Sequence, residues 1–266
     1  MGLKIRHLIQ NQGVLGVCRL LINPASQELR GIVKIVSFKT TNFWVSQSPP
    51  SVWQNETKSP FKSSAMKFSD SLTLQGKHAS LVPLTMAHHY GLCEAVKDGE
   101  LWKLWYTSIP SPEAMAKEID RRLGLQKLGT MNPFCVLDAS GTPVGMTTYM
   151  NIDQENRRLE IGSTWYRQSV QRTAINTECK LLLLRHAFTK FDCIAVEFRT
   201  HFFNHQSRQG IERLGAKLDG VLRSHQINRH PDAKASIRDT CVYSILADEF
   251  PAVDTNLSFR LSIPSL

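Results

Sequence analysis

The sequence predicts an α/β protein with one mixed, mostly antiparallel central sheet flanked by helices. Two observations carry this. Short alternating runs between residues 71 and 166 are separated by turn chemistry, as strands meeting in hairpins require. A later segment holds four consecutive leucines, Leu181, Leu182, Leu183 and Leu184, and is apolar nearly all round, so its helix is buried with one face on a sheet.

In chain order, residues 71–84 alternate and turn at Gln75-Gly76-Lys77, the first strand region. Residues 85–96 and 111–125 have helical apolar spacing. The second of these helices is expected to start at Ser111 as N-cap, with Pro112 in its first turn. Between them lies Leu101-Trp102-Lys103-Leu104-Trp105-Tyr106, which reads either as packing between the two helices or as a substrate wall. Residues 133–138 and 144–150 form a hairpin around Asp138-Ala139-Ser140-Gly141, and a second turn at 153–157 returns the chain into a strand at 158–166. Strict alternation there puts Glu160, Gly162, Thr164 and Tyr166 on one face, and Leu159, Ile161, Ser163 and Trp165 on the other. The leucine-rich helix follows, then a strand at 193–200, a short helix at 204–214 stopped by Gly215, and closing strands at 217–227 and 239–246.

Residues 1–65 differ in kind. They hold eight Lys and Arg against two acids, so they carry +6 of the formal net charge of +9. Nucleic-acid binding is thereby confined, as an alternative, to this arm, because the remaining body is nearly balanced. The Pro- and Ser-rich tract at 46–67 is linker-like, and Met66 offers an alternative start, with 1–65 an overlong gene start or a disordered arm. The expected division is therefore a poorly defined arm at 1–65 and a folded domain at 66–266. Six scattered cysteines without a Cys-x-x-Cys pair read as reduced thiols of a cytoplasmic protein. No stretch reaches the length of a membrane span, and no histidine grouping has metal-ligand spacing.

The polar turn at Gln171, Arg172, Thr173, Ala174, Ile175, Asn176 and Thr177 enters the leucine-rich helix. A turn of this kind presents free backbone N–H groups and the positive end of the helix dipole, which is a phosphate cradle. Upstream, Glu160 stands in an otherwise apolar strand. It is a candidate general base, or else a structural carboxylate paired with Arg157, Arg158 or Arg199.

The element order, together with Arg158-Leu159-Glu160-Ile161-Gly162 leading to Trp165, the 171–178 turn, Asn204-His205-Gln206-Ser207, Arg213-Leu214-Gly215-Ala216, Asp219-Gly220-Val221-Leu222-Arg223 and Arg238-Asp239-Thr240, resembles the GCN5-related N-acetyltransferases. The resembling branch is that of the RimJ/RimL-type ribosomal-protein N-terminal acetyltransferases, over about residues 72–261. The resemblance implies acetyl-CoA as acyl donor without a metal, its pyrophosphate at 171–177, and direct attack by a bound amine. The amine is that of a protein or peptide N-terminus, or of a small molecule such as an amino acid, polyamine or aminoglycoside. The protein would be a monomer or homodimer with no nucleic-acid or membrane partner.

The family loop has glycines where Ala174 and Asn176 stand, so Ala174 is expected to be strained if a positive φ is needed there. Many relatives supply a tyrosine acid at the position of Ile211; in its absence the resemblance offers Ser207 as acid, with Asn204 on the pantetheine arm and Arg208 near a phosphate. Ser207 also fits a plain capping role. The departures from the family loop leave open a non-catalytic acyl-CoA-binding member.

Overall fold

The computed structural model describes residues 67–228, 230 and 236–263; the basic arm and Met66 lie outside them. The first strand region is a small hairpin, β1 (Leu74–Gln75) and β2 (Ala79–Pro83). A 3-10 turn, Met86–His88, leads into α1 (His89–Lys97), and after a second 3-10 turn, Leu101–Lys103, comes α2 (Met115–Lys127). Ser111 does not cap α2. Its Oγ accepts from Ala114 N–H in the preceding turn, and the helix starts later with Ala114 as N-cap.

The strands β3 (Met131–Asp138), β4 (Pro143–Asp153) and β5 (Arg158–Tyr166) form the antiparallel meander read from the turns. Asp138 closes the first turn by accepting from the N–H groups of Ser140 and Thr142 at 2.9 and 3.0 Å. Then come α3 (Ala174–Thr189), β6 (Ala195–His201), α4 (His205–Arg213), β7 (Lys217–Ile227) and β8 (Ile237–Leu246). The last element, α5 (Phe250–Ser262), was not foreseen; Phe250, Val253 and Leu257 are its buried face, and Phe250 stacks on Phe188 of α3. The sheet order is β1-β2-β3-β4-β5-β6-β8-β7, antiparallel except where β5 runs beside β6.

Two cores result, one on each face of the sheet. The larger packs α3 and α5 against Phe134, Tyr149, Ile161, Phe198 and Tyr243; the smaller packs α1 and α2 against Cys135, Met146 and Trp165. α3 is also tied to the edge hairpin by Glu178, whose buried carboxylate accepts from the N–H groups of Lys77, His78 and Ala79 at 2.8, 2.6 and 2.8 Å. All five described cysteines are buried.

The predicted alternation along β5 holds only to Gly162. Ser163 has φ of 47°, and the register slips so that Met146 faces Trp165 while Thr148 faces Gly162. This β-bulge moves Trp165 to the Glu160 face and Thr164 to the α3 face. The Ser163 carbonyl is held from below by the buried Arg122 of α2, whose guanidinium also reaches Thr148 Oγ at 2.8 Å and Glu118 at 2.7 Å.

Candidate active site

A gap in the sheet organises the site. β5 and β6 pair over only three positions, Arg158 with Ala195, Leu159 with Val196 and Glu160 with Glu197, although both strands continue. Beyond Glu160 they diverge, and the side of β5 facing β6 has no ladder partner. Parallel neighbours joined by a crossover helix diverge in this way when a bulge turns one of them aside. The wedge that opens leads from Glu160 toward the turn at 171–173 and the start of α4.

Glu160, at the apex, is 5% exposed. Asn151 Nδ2 donates to its Oε2 at 2.7 Å, and Arg199 stands 3.6 Å away. Asn151 aims its amide from a left-handed backbone, φ 48°, which asparagine accepts more readily than most residues. Burial pushes the Glu160 carboxyl above its ordinary value, against the opposing pull of Asn151 and Arg199. The pairing with Arg157 or Arg158 does not form: Arg157 bonds Asp192, and Arg158 bonds Glu197 at 2.7 Å. Gly162 makes room for the carboxylate, since a Cβ there would lie 2.7 Å from Glu160 Oε1.

At the cradle, Thr173 is the N-cap of α3, with its Oγ accepting from Ile175 N–H at 3.4 Å and donating to Val170 O at 2.7 Å. The strain expected at Ala174 is absent, because Ala174 is the first residue of the helix; the positive φ, 65°, falls on Arg172 instead. Arg172 is exposed. Gln171 spans the mouth of the wedge: its Nε2 donates to Tyr166 O at 2.9 Å and its Oε1 accepts from Gln206 of α4 at 3.1 Å. The structure thus brings the turn at 171–173 and the start of α4 together.

The α4 residues are arranged differently from expectation. Asn204 caps its helix, with Oδ1 accepting from Ser207 N–H at 3.0 Å, so the side-chain oxygen is engaged. Arg208 is turned to the sheet, donating to Tyr243 OH at 3.1 Å and lying 5.0 Å over the Phe202 ring. Ile211 is in the core, so no side chain reaches out at that position.

Sequence reasoning gave no site role to Arg122, Asn151, Gln206, His201 or Arg238, although Gln206 and Arg238 stand inside motifs that carry the resemblance. The aromatic run divides: Leu101 is buried and Trp102 packs on the smaller core, whereas Trp105 is 37% exposed and meets His201 edge to face at 5.2 Å. Among the described residues no cluster of three or more His, Cys, Asp or Glu suits a metal ion, and no helix is long and apolar enough to cross a membrane.

Residues 79–217 match the family model of the acetyltransferase (GNAT) domain. A solved structure assigned as an acetyltransferase from T. thermophilus is 30% identical, covering 71% of this chain and 96% of that one, with a TM-score of 0.62. A GCN5-related N-acetyltransferase from Brucella melitensis is 26% identical over 73% of this chain and 86% of its own, with a TM-score of 0.64. Mycobacterium smegmatis RimJ, solved in complex with CoA-disulfide, shares the fold at 19% identity, over 74% of this chain and 97% of that one, with a TM-score of 0.61. No curated protein matches. With the divergent strands, the capped helix and a family model spanning more than half its length, the chain belongs to the GNAT acetyltransferase family.

Proposed function

We propose that this protein is a cytoplasmic N-acetyltransferase that moves the acetyl group of acetyl-CoA to a primary amine. The observation that carries the reading is the wedge between β5 and β6, with a buried carboxyl at its apex and a helix N-terminus at its mouth. The first-turn N–H groups of α3 and Arg172 would hold the pyrophosphate. When bound, acetyl-CoA supplies a thioester whose carbon–sulfur bond breaks as the amine nitrogen forms the amide, releasing coenzyme A as its thiol.

Glu160 takes the proton that the amine must lose. Its raised pKa suits this, because it makes the carboxylate a stronger proton acceptor than an ordinary one. The unpaired edge of β5 past the bulge offers backbone N–H groups to developing negative charge on oxygen. Ser207, half-buried in the first turn of α4, is the residue proposed to return a proton to the departing sulfur. The RimJ/RimL resemblance favours an α-amine at a protein or peptide N-terminus as acceptor. Calorimetric titration with acetyl-CoA and thiol release over an amine panel test the reading. Binding with amine-dependent thiol release is expected, whereas binding without release for any amine would leave a non-catalytic acyl-CoA-binding protein.

A further inference from the structure

The sheet face that carries Glu160 continues past the catalytic carboxyl into a polar strip that the acetyl-transfer chemistry does not use. Glu160 is opposite Glu197, and steps of two along β6 bring Arg199 and His201 to the same face. His201 is opposite Thr240 of β8, and Arg238 lies two residues from Thr240. Arg238 Nε donates to Thr240 Oγ at 3.0 Å, and His225 Nδ1 contacts the same oxygen at 3.0 Å. Neither α1 nor α2 covers this part of the sheet; their cluster stops at Trp165.

Two groups here lack the partners their chemistry asks for. His201 is 3% exposed, yet its Nε2 has no hydrogen-bond partner. Its Nδ1 accepts from Phe203 N–H at 3.1 Å, so the neutral ring carries its proton on Nε2 and presents a buried donor. Burial, then the Arg238 charge, lowers the pKa of His201 and keeps the ring neutral. Arg238 is half-buried, and among the described residues no carboxylate lies within ion-pair distance of it. Its neighbour Asp239 is engaged by Arg223 at 2.6 Å instead. Both Glu160 and His201 feel the Arg238 charge, which places it near each. Trp105 and Phe203 flank the imidazole, with ring centroids 5.2 and 5.8 Å away.

We infer that the acceptor amine carries a carboxylate, received by the Arg238 guanidinium and the His201 Nε2–H while the amine faces Glu160. A half-buried guanidinium that no described carboxylate reaches at ion-pair distance, though Glu160 attracts it from further off, and a buried donor without an acceptor both have capacity left for an oxyanion. The carboxylate is either the α-carboxylate of a free amino acid or an acidic side chain near a peptide amino end. A polycationic acceptor meets like charge at Arg238 and is disfavoured. The inference rests on the acetyltransferase reading above.

The test compares amines that differ in that charge at saturating acetyl-CoA. The pairs are L-phenylalanine against its amide, and the peptide Ser-Glu-Ala amide against Ser-Gln-Ala amide, with spermidine as the polycation. In at least one pair the carboxylate member is expected to show a kcat/KM about tenfold higher, and the pair that does so identifies the source. Arg238→Gln should bring that ratio to within about twofold, while Arg238→Lys, which keeps the charge, should retain part of it. Equal use of the members, preference for the amides or spermidine, no turnover of either carboxylate probe, or a ratio unchanged in Arg238→Gln would overturn the inference. Calorimetry with acetyl-CoA on the same proteins separates the two readings. Absent acetyl-CoA binding by the wild type defeats the acetyltransferase reading, whereas intact binding without a carboxylate preference defeats only the acceptor inference.

Discussion

Glu160 and Lys180 are both buried ionisable residues, and their surroundings set them apart. Glu160 has Asn151 and Arg199 on its Oε2 and a wedge in front of it, so its raised pKa is available for proton transfer. Glu160→Gln should lower kcat/KM by about 10²–10⁴ and abolish the acid limb of the pH profile, a limb that wild type should show above the ordinary carboxylate range. Lys180 points from α3 onto the hydroxyls of Thr164 and Thr147, 2.8 and 3.3 Å away, with no acid beside it. Burial lowers its pKa to about 8. The folded value is below the unfolded one, so the unfolded chain binds more protons between them, and this group's contribution to stability rises with pH across that interval. At neutral pH holding the charge costs about 3 kcal/mol by linkage. Lys180→Met should therefore melt higher than wild type at pH 7, and the difference should narrow as the pH is raised from about 8 toward 10 in parallel thermal melts. The environment of Lys180 was not legible in the sequence, whereas that of Glu160 was read in part, with Arg199 among its named partners. Glu160 stood out as an acid in an apolar strand, but Lys180 preceded the leucines as an ordinary helical lysine.

At the scale of elements, most strands and helices could be read because turns and periodicity are local signals. Asp138 to Gly141 announces its hairpin, and the four leucines announce a buried helix. The failures are non-local. The bulge at Ser163 depends on Arg122, 41 positions away, and no sequence pattern in β5 records it. α5 went unread because only three of its residues are buried, and they face α3 rather than forming a long stripe. Arg122→Leu should cost about 2–3 kcal/mol in denaturant unfolding, because the Ser163 carbonyl and Thr148 lose their buried donor, while Glu118 keeps only Arg121. It should also raise the KM for acetyl-CoA, since β5 is then free to lie against β6. Glu178→Ala should cost about 3 kcal/mol without changing the acceptor preference, because three backbone N–H groups of the edge hairpin, that of Ala79 fully buried, lose their acceptor.

For the whole molecule, the site is a place where the sheet is interrupted, and the fold supplies rigidity from either side of the interruption. α3 and α5 back one face, and α1 and α2 back the β3–β5 half of the other. The element order and the motifs together pointed to the GNAT family, to which the chain belongs, but the parallel pairing of β5 with β6 was not read from them. The acceptor strip was not legible, since it is assembled from β6, β8 and the loop carrying Trp105. A thermal shift should accompany acetyl-CoA, worth about 2.7 kcal/mol at a hundredfold excess over Kd, if the ligand binds only the folded chain. The three-residue contact between β5 and β6 has a further consequence for solvent exchange. The sheet is two hydrogen-bonded blocks stitched at Arg158 to Glu160, with the Gln171–Gln206 amide pair joining the two sides again further along. Backbone amides on the open side of β5 should therefore trade deuterium far faster than those facing β4, and slow together once ligand fills the seam.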